Sequence, residues 1–131
     1  MAISRIKDYT DLDLDFIAHP ITGDVTKKVG PDAIARSIRN LVMTNYYDRP
    51  FRSQIGSNAL KMLFENIGPL TAINLEQAIS DVVTNFEPRA KLIGVKVNAD
   101  PDNNGYSAKI AFYVKNRPEP FQTTLFLERI R

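Results

Sequence analysis

The feature that most constrains how this chain can fold is Glu87-Pro88-Arg89, because the hydrophobic period changes across it. Before it, Leu75, Ile79, Val82, Val83 and Phe86 recur at helical spacing within Thr71 to Phe86. Beyond it, Ile93, Val95, Val97 and Ala99 alternate with Gly94, Lys96 and Asn98, the period of a half-buried strand. Proline lacks an N–H and drives the preceding residue out of the helical region, so Glu87 is expected to be extended and the helix to end near Phe86. An acid and a base then sit on a stiff joint between two packed elements. The tripeptide alone allows two readings. One is a helix stop with two solvated charges. The other is a preorganised docking point, in which Arg89 offers a planar fork of donors and Glu87 offers acceptors.

The rest of the chain arranges itself around that joint. Asp11-Leu12-Asp13-Leu14-Asp15-Phe16 alternates strictly and predicts an extended strip, with Leu12, Leu14 and Phe16 on one face. His19-Pro20-Ile21-Thr22-Gly23-Asp24 reads as a turn. A first helix is expected after Gly30, with Pro31 in its first turn and Ile34, Ile38, Leu41 and Val42 as its buried stripe. Ser57 caps a second, short helix that Gly68-Pro69 ends, and Thr71 caps the third. Strands follow near 91–99, 106–115 and 121–130, joined by the turn-rich segments 100–105 and 116–120. The expected class is α+β. About three helices pack on one face of a small, mainly antiparallel C-terminal sheet, with an extended N-terminal segment. At 131 residues a single domain is expected, made of an N-terminal strip (1–30), a helical part (31–86) and a sheet (87–131).

Several kinds of chemistry lack their parts. Without cysteine there is neither a disulfide nor a thiolate metal site, and one histidine, His19, supplies neither a nucleophile–base triad nor a zinc site. The six glycines never cluster into a phosphate-cradling loop. The Asp-x-Asp-x-Asp run suggests calcium, but Phe16 and Thr22 stand where an EF-hand needs glycine and glutamate. No cofactor or metal is expected. A net charge of +2 argues against nucleic acid, and the absence of a long apolar run argues against a membrane. Met1-Ala2-Ile3-Ser4-Arg5 has no signal-peptide core, which fits synthesis in a cytoplasm. Paired carboxylates remain for glycoside hydrolysis, with Glu65 and Glu87 as candidates and Asp48 third. Arg89 beside Glu87 lowers the carboxyl pKa where a general acid needs it raised, so no catalytic residue is assigned. The last strand, Phe121-Gln122-Thr123-Thr124-Leu125-Phe126-Leu127, carries no charge. At a sheet edge it is a pairing site, unless the N-terminal strip covers it.

Taken in order, Asp11–Phe16, Ser37-Ile38-Arg39-Asn40-Leu41, Arg49-Pro50-Phe51, Ile55-Gly56-Ser57, Leu63-Phe64-Glu65 and Glu87-Pro88-Arg89 resemble the small baseplate wedge proteins of contractile-tailed phages. That family includes the sheath initiator and the related baseplate component of type VI secretion systems, and some members carry a lysozyme-like label. The resemblance covers nearly the whole chain. It implies a structural protein of the virion tail baseplate, made in the host cytoplasm. Glu87, Pro88 and Arg89 would anchor it to the helical core bundle of larger wedge subunits. Its sheet would nucleate the contractile sheath by strand addition, with Phe121, Thr123, Leu125 and Leu127 on the receiving strand. The implied partners are those wedge subunits and the sheath protein, with tail tube or hub proteins as further neighbours. On this reading, alanine at Glu87 and Arg89 should spare the fold and stop sheath assembly. The alternative is a carboxylate-dependent, lysozyme-like hydrolase of peptidoglycan.

Overall fold

The computed structural model describes residues 9–115 and 117–129. Residues 1–8, 116, 130 and 131 lie outside them, and with them the start of the expected strip and the last residue of the strand expected over 121–130. Among the described residues the elements are, in order, β1 (Thr10–Leu12), β2 (Lys27–Val29), α1 (Pro31–Met43), α2 (Ala59–Met62), α3 (Pro69–Phe86), β3 (Ala90–Asp100), β4 (Gly105–Val114) and β5 (Pro120–Glu128). The strands form two antiparallel sheets, a ribbon β1-β2 and a meander β3-β4-β5. This is the α+β arrangement expected from the sequence.

Periodicity explains the core. Ile34, Ile38, Leu41 and Val42 of α1 are buried together with Leu75, Ile79, Val82 and Val83 of α3. They meet Val97, Tyr106, Ala108, Ile110, Phe112 and Val114 on the inner face of the sheet. Glu87 ends α3 as predicted, with φ −119° and ψ 83° and its N–H on the Val83 carbonyl. β3 and β4 close over the turn 101–104, where Asn104 takes φ 53°.

Three local expectations are corrected. Gly68-Pro69 starts α3 rather than ending α2: proline needs no intrahelical donor at the first helical position, and Thr71 lies buried inside the helix. A bulge between Leu92 and Gly94 breaks the alternation of β3. Ile93 is therefore half exposed, and Leu92 joins Val95 and Val97 on the packed side. The N-terminal strip is not one extended run but a ribbon folded on itself, with β1 ending at Leu12. Asp13 is buried, while Leu12, Leu14 and Phe16 are exposed. Asp13 turns inward to Thr26, Lys28 and Arg36, whereas Asp11 is half-buried and Asp15 exposed.

Candidate functional site

The joint is wired from within. Ser37 lies one turn beyond Ile34 on the margin of the buried stripe of α1, which brings its hydroxyl to the end of α3. Its Oγ donates to Glu87 Oε2 at 2.5 Å. Arg89 closes a fork on the same carboxylate, Nε to Oε1 at 2.8 Å and Nη2 to Oε2 at 3.1 Å. Its Nη2 also reaches Asp11 Oδ2 at 3.3 Å, and the guanidinium lies 5.5 Å from the centre of the Tyr9 ring. Glu87 is 3% exposed, Arg89 is partly buried, and Pro88 faces solvent. The tripeptide therefore ties α3, α1 and β1 together.

Burial pushes the Glu87 carboxyl up, but the hydrogen bonds from Arg89 and Ser37 and the Arg89 charge outweigh it, so its pKa ends below the ordinary value. The hydrogen bond to Glu87 raises the Arg89 pKa in turn, with Asp11 adding to it. Both groups stay charged across neutral pH. Glu65 is exposed and receives the Thr71 hydroxyl at 3.4 Å, and Asp48 accepts the Asn45 N–H at 2.9 Å.

A second charge cluster holds the ribbon. Asp13 accepts the Asp15 N–H at 3.1 Å and the Thr26 hydroxyl at 3.1 Å, and lies 3.7 Å from Lys28 Nζ and 3.5 Å from Arg36 Nη2. The same Arg36 nitrogen pairs with Asp15. The Asp15 N–H bond is the largest influence holding the Asp13 carboxyl below its usual range, and Thr26, Lys28 and Arg36 act the same way against burial.

Between this cluster and the joint lies a groove of about 800 Å³, with Arg36, Arg49 and Arg52 on its walls and Leu12, Leu14 and Ile55 between them. Asp11 and Ser37, which hold Arg89 and Glu87, also line it. Gly56 packs where a Cβ would come within 2.7 Å of the Asn45 backbone, which seats the loop bearing Arg49 and Arg52 on the end of α1. Beyond that loop's rim Phe51 is wholly exposed, at φ 67°.

The four residues assigned on β5 sit on its packed side. Leu125 and Leu127 are buried, Phe121 packs 6.3 Å from the Phe112 ring, and Thr123 is half buried. Gln122, Thr124 and Phe126 form the outer face. Among the described residues, the ribbon does not pair with β5. Sequence reasoning placed Glu87 and Arg89 side by side but missed Tyr9, Asp11 and Ser37 as their partners. The aspartate repeat was a usable signal, since three regularly spaced carboxylates need cations nearby.

A family model described as baseplate wedge protein gp25 matches residues 28–119, which include Ser37 and Glu87-Pro88-Arg89 but not Tyr9 or Asp11. The baseplate wedge protein gp25 of Enterobacteria phage T4 is 31% identical over 116 residues, 88% of this chain and 87% of that protein. A chain in the anti-feeding prophage baseplate is 27% identical with a TM-score of 0.69, covering 86% of this chain and 90% of its own. A Geobacter sulfurreducens protein that bears a tail-lysozyme label has a TM-score of 0.69 at 21% identity, covering 75% of this chain and 89% of its own, a likeness of fold.

Proposed function

Because the chain belongs to the family of baseplate wedge protein gp25, we propose that it is a structural part of a contractile tail baseplate. In this role the Glu87-Pro88-Arg89 joint anchors it to larger wedge subunits, and β5 receives an extended segment of the sheath by strand addition. The observation that carries the reading is the pairing of a rigid, fully charged joint with the basic and apolar groove beside it. Such a groove suits an amphipathic helix with acidic flanks, as a bundle of helices would present. Glu87 acts by fixing Arg89 and the groove wall, while Pro88 and the open side of Arg89 meet the partner. At β5 the main chain does the work, because the side chains of Leu125 and Leu127 are committed to the core.

The burial of Glu87 alters which experiment tests the anchor. Alanine at Glu87 and Arg89 would disturb folding as well as docking, so exposed groove residues are the better probes. Arg49→Glu with Arg52→Glu should melt like the wild type and yet fail to restore sheathed tails to particles lacking this chain, scored by electron microscopy. Full-length sheaths on particles carrying a correctly folded double variant would overturn the anchoring role. Peptidoglycan hydrolysis finds no support in the geometry, since a general acid needs a raised pKa and Glu87 is held the other way.

A further inference from the structure

The meander has two edges, and they are built differently. On β3, Val97 stands opposite Ala108 but sends its N–H to Glu76 Oε1 of α3 at 2.9 Å. That N–H therefore faces away from β4, and the main-chain groups of Val95 and Ala99 turn the same way, because direction alternates along a strand. The Glu76 carboxylate stands where the carbonyl of an added strand would stand. The bulge at Ile93 interrupts the same edge further along. Without these devices the edge would be adhesive. Beside it runs a groove of about 510 Å³ lined by Ile67, Pro69, Ala72 and Ile73, and Leu70, Ile73 and Ile93 are exposed around it.

The β5 edge has neither device. Its register to β4 is unbroken from Pro120 to Phe126 and on to Glu128, and residues 121–127 carry no charge. Among the described residues, no side chain hydrogen-bonds to its main chain. An open groove of about 420 Å³, lined by Lys28, Arg36, Arg39 and Thr124, lies alongside.

We propose that Glu76 is an edge gate: by occupying the Val97 N–H it closes β3 to pairing with a second copy of this chain and leaves β5 as the one edge open to an added strand. The closure of β3 stands on its own geometry, and only the use of β5 rests on the function proposed above. A side-chain acceptor suits the task because it satisfies the Val97 donor from within the chain, so an added strand finds no free N–H there to bond.

Glu76→Ala and Glu76→Gln test the gate, read by amide exchange and by sedimentation velocity over a range of protein concentrations. In dilute Glu76→Ala the Val97 amide should exchange about tenfold faster or more than in the wild type. At higher concentration this variant should self-associate, with new protection over 95–99. Glu76→Gln keeps an acceptor oxygen and should behave as the wild type, which separates the gate from a general loss of stability. If Glu76→Ala stays as monomeric as the wild type, or if the glutamine variant associates equally, the gate is wrong. Addition at β5 is read separately, as protection over 121–127 when sheath subunits are added to wild type. Its absence would sink the β5 reading and leave the result at β3 intact.

Discussion

At the scale of single residues, Glu87 decides how the joint behaves. Its carboxylate is out of water and accepts the Ser37 hydroxyl and both the Nε and Nη2 donors of Arg89. Glu87→Gln keeps the size but loses the charge that Arg89 clasps. The expected loss is about 2 kcal/mol at neutral pH, the worth of hydrogen bonds to a charged group. Thermal unfolding should show it as a fall of roughly 8 °C for a chain of this length. The pH dependence has a definite sign. The folded carboxyl titrates below its unfolded value of about 4.3, so its contribution is fully present above that pH and disappears as pH falls through the folded pKa. The gap between wild type and Glu87→Gln should therefore narrow in acid, and a gap independent of pH would show that the charge does not matter. Removing Arg89 instead would leave the buried Glu87 carboxylate with Ser37 alone and no counter-charge, so it too should destabilise the fold.

At the scale of elements, packing was more legible in the sequence than edges and ends were. The stripes of α1 and α3 and the three strands of the meander were readable because burial follows period, and period is written in the side chains. The bulge at Ile93 was not readable, because one unpaired residue leaves the composition of β3 unchanged and shifts only its phase. The start of α3 was misread because Gly-Pro can end one helix or begin another, and what lies around it decides. The partners of the tripeptide were hidden for a related reason. Tyr9, Asp11 and Ser37 come to it from 50 or more residues away, through the packing of whole elements. Gly56 is a position where the backbone itself selects the residue type. A φ of 151° and a Cβ position 2.7 Å from the Asn45 backbone admit only glycine. Gly56→Ala should cost about 2 kcal/mol through strain. Chemical denaturation should show a lower midpoint with an unchanged slope. An alanine variant as stable as wild type would mean that the loop from Asn45 to Ser57 can shift without cost.

At the scale of the whole molecule, two kinds of adhesion hold the fold. Helices and meander share an apolar core, whereas the ribbon is held chiefly by charge. Leu12, Leu14 and Phe16 are exposed, and Asp11, Asp13 and Asp15 reach to Arg89, Thr26, Lys28 and Arg36. Charge-held and core-held parts should separate under acid. Asp13 is the central staple and its carboxyl titrates below the ordinary value, so its hold is intact above the unfolded pKa of about 3.9 and is lost as pH falls through the folded value. Amide exchange gives the measurement. The ladder between Thr10–Leu12 and Lys27–Val29, together with the Asp13 N–H bonded to Thr26, should lose protection in acid before the amides of α3 and β4 do. Asp13→Asn should show the same loosening already at neutral pH with the core amides unchanged. If ribbon and core lose protection together at every pH, the ribbon belongs to the same cooperative unit as the core. In that case the groove wall formed by Leu12 and Leu14 is as rigid as the helices facing it. If they separate, that wall can move when a partner docks, while the joint behind it stays fixed.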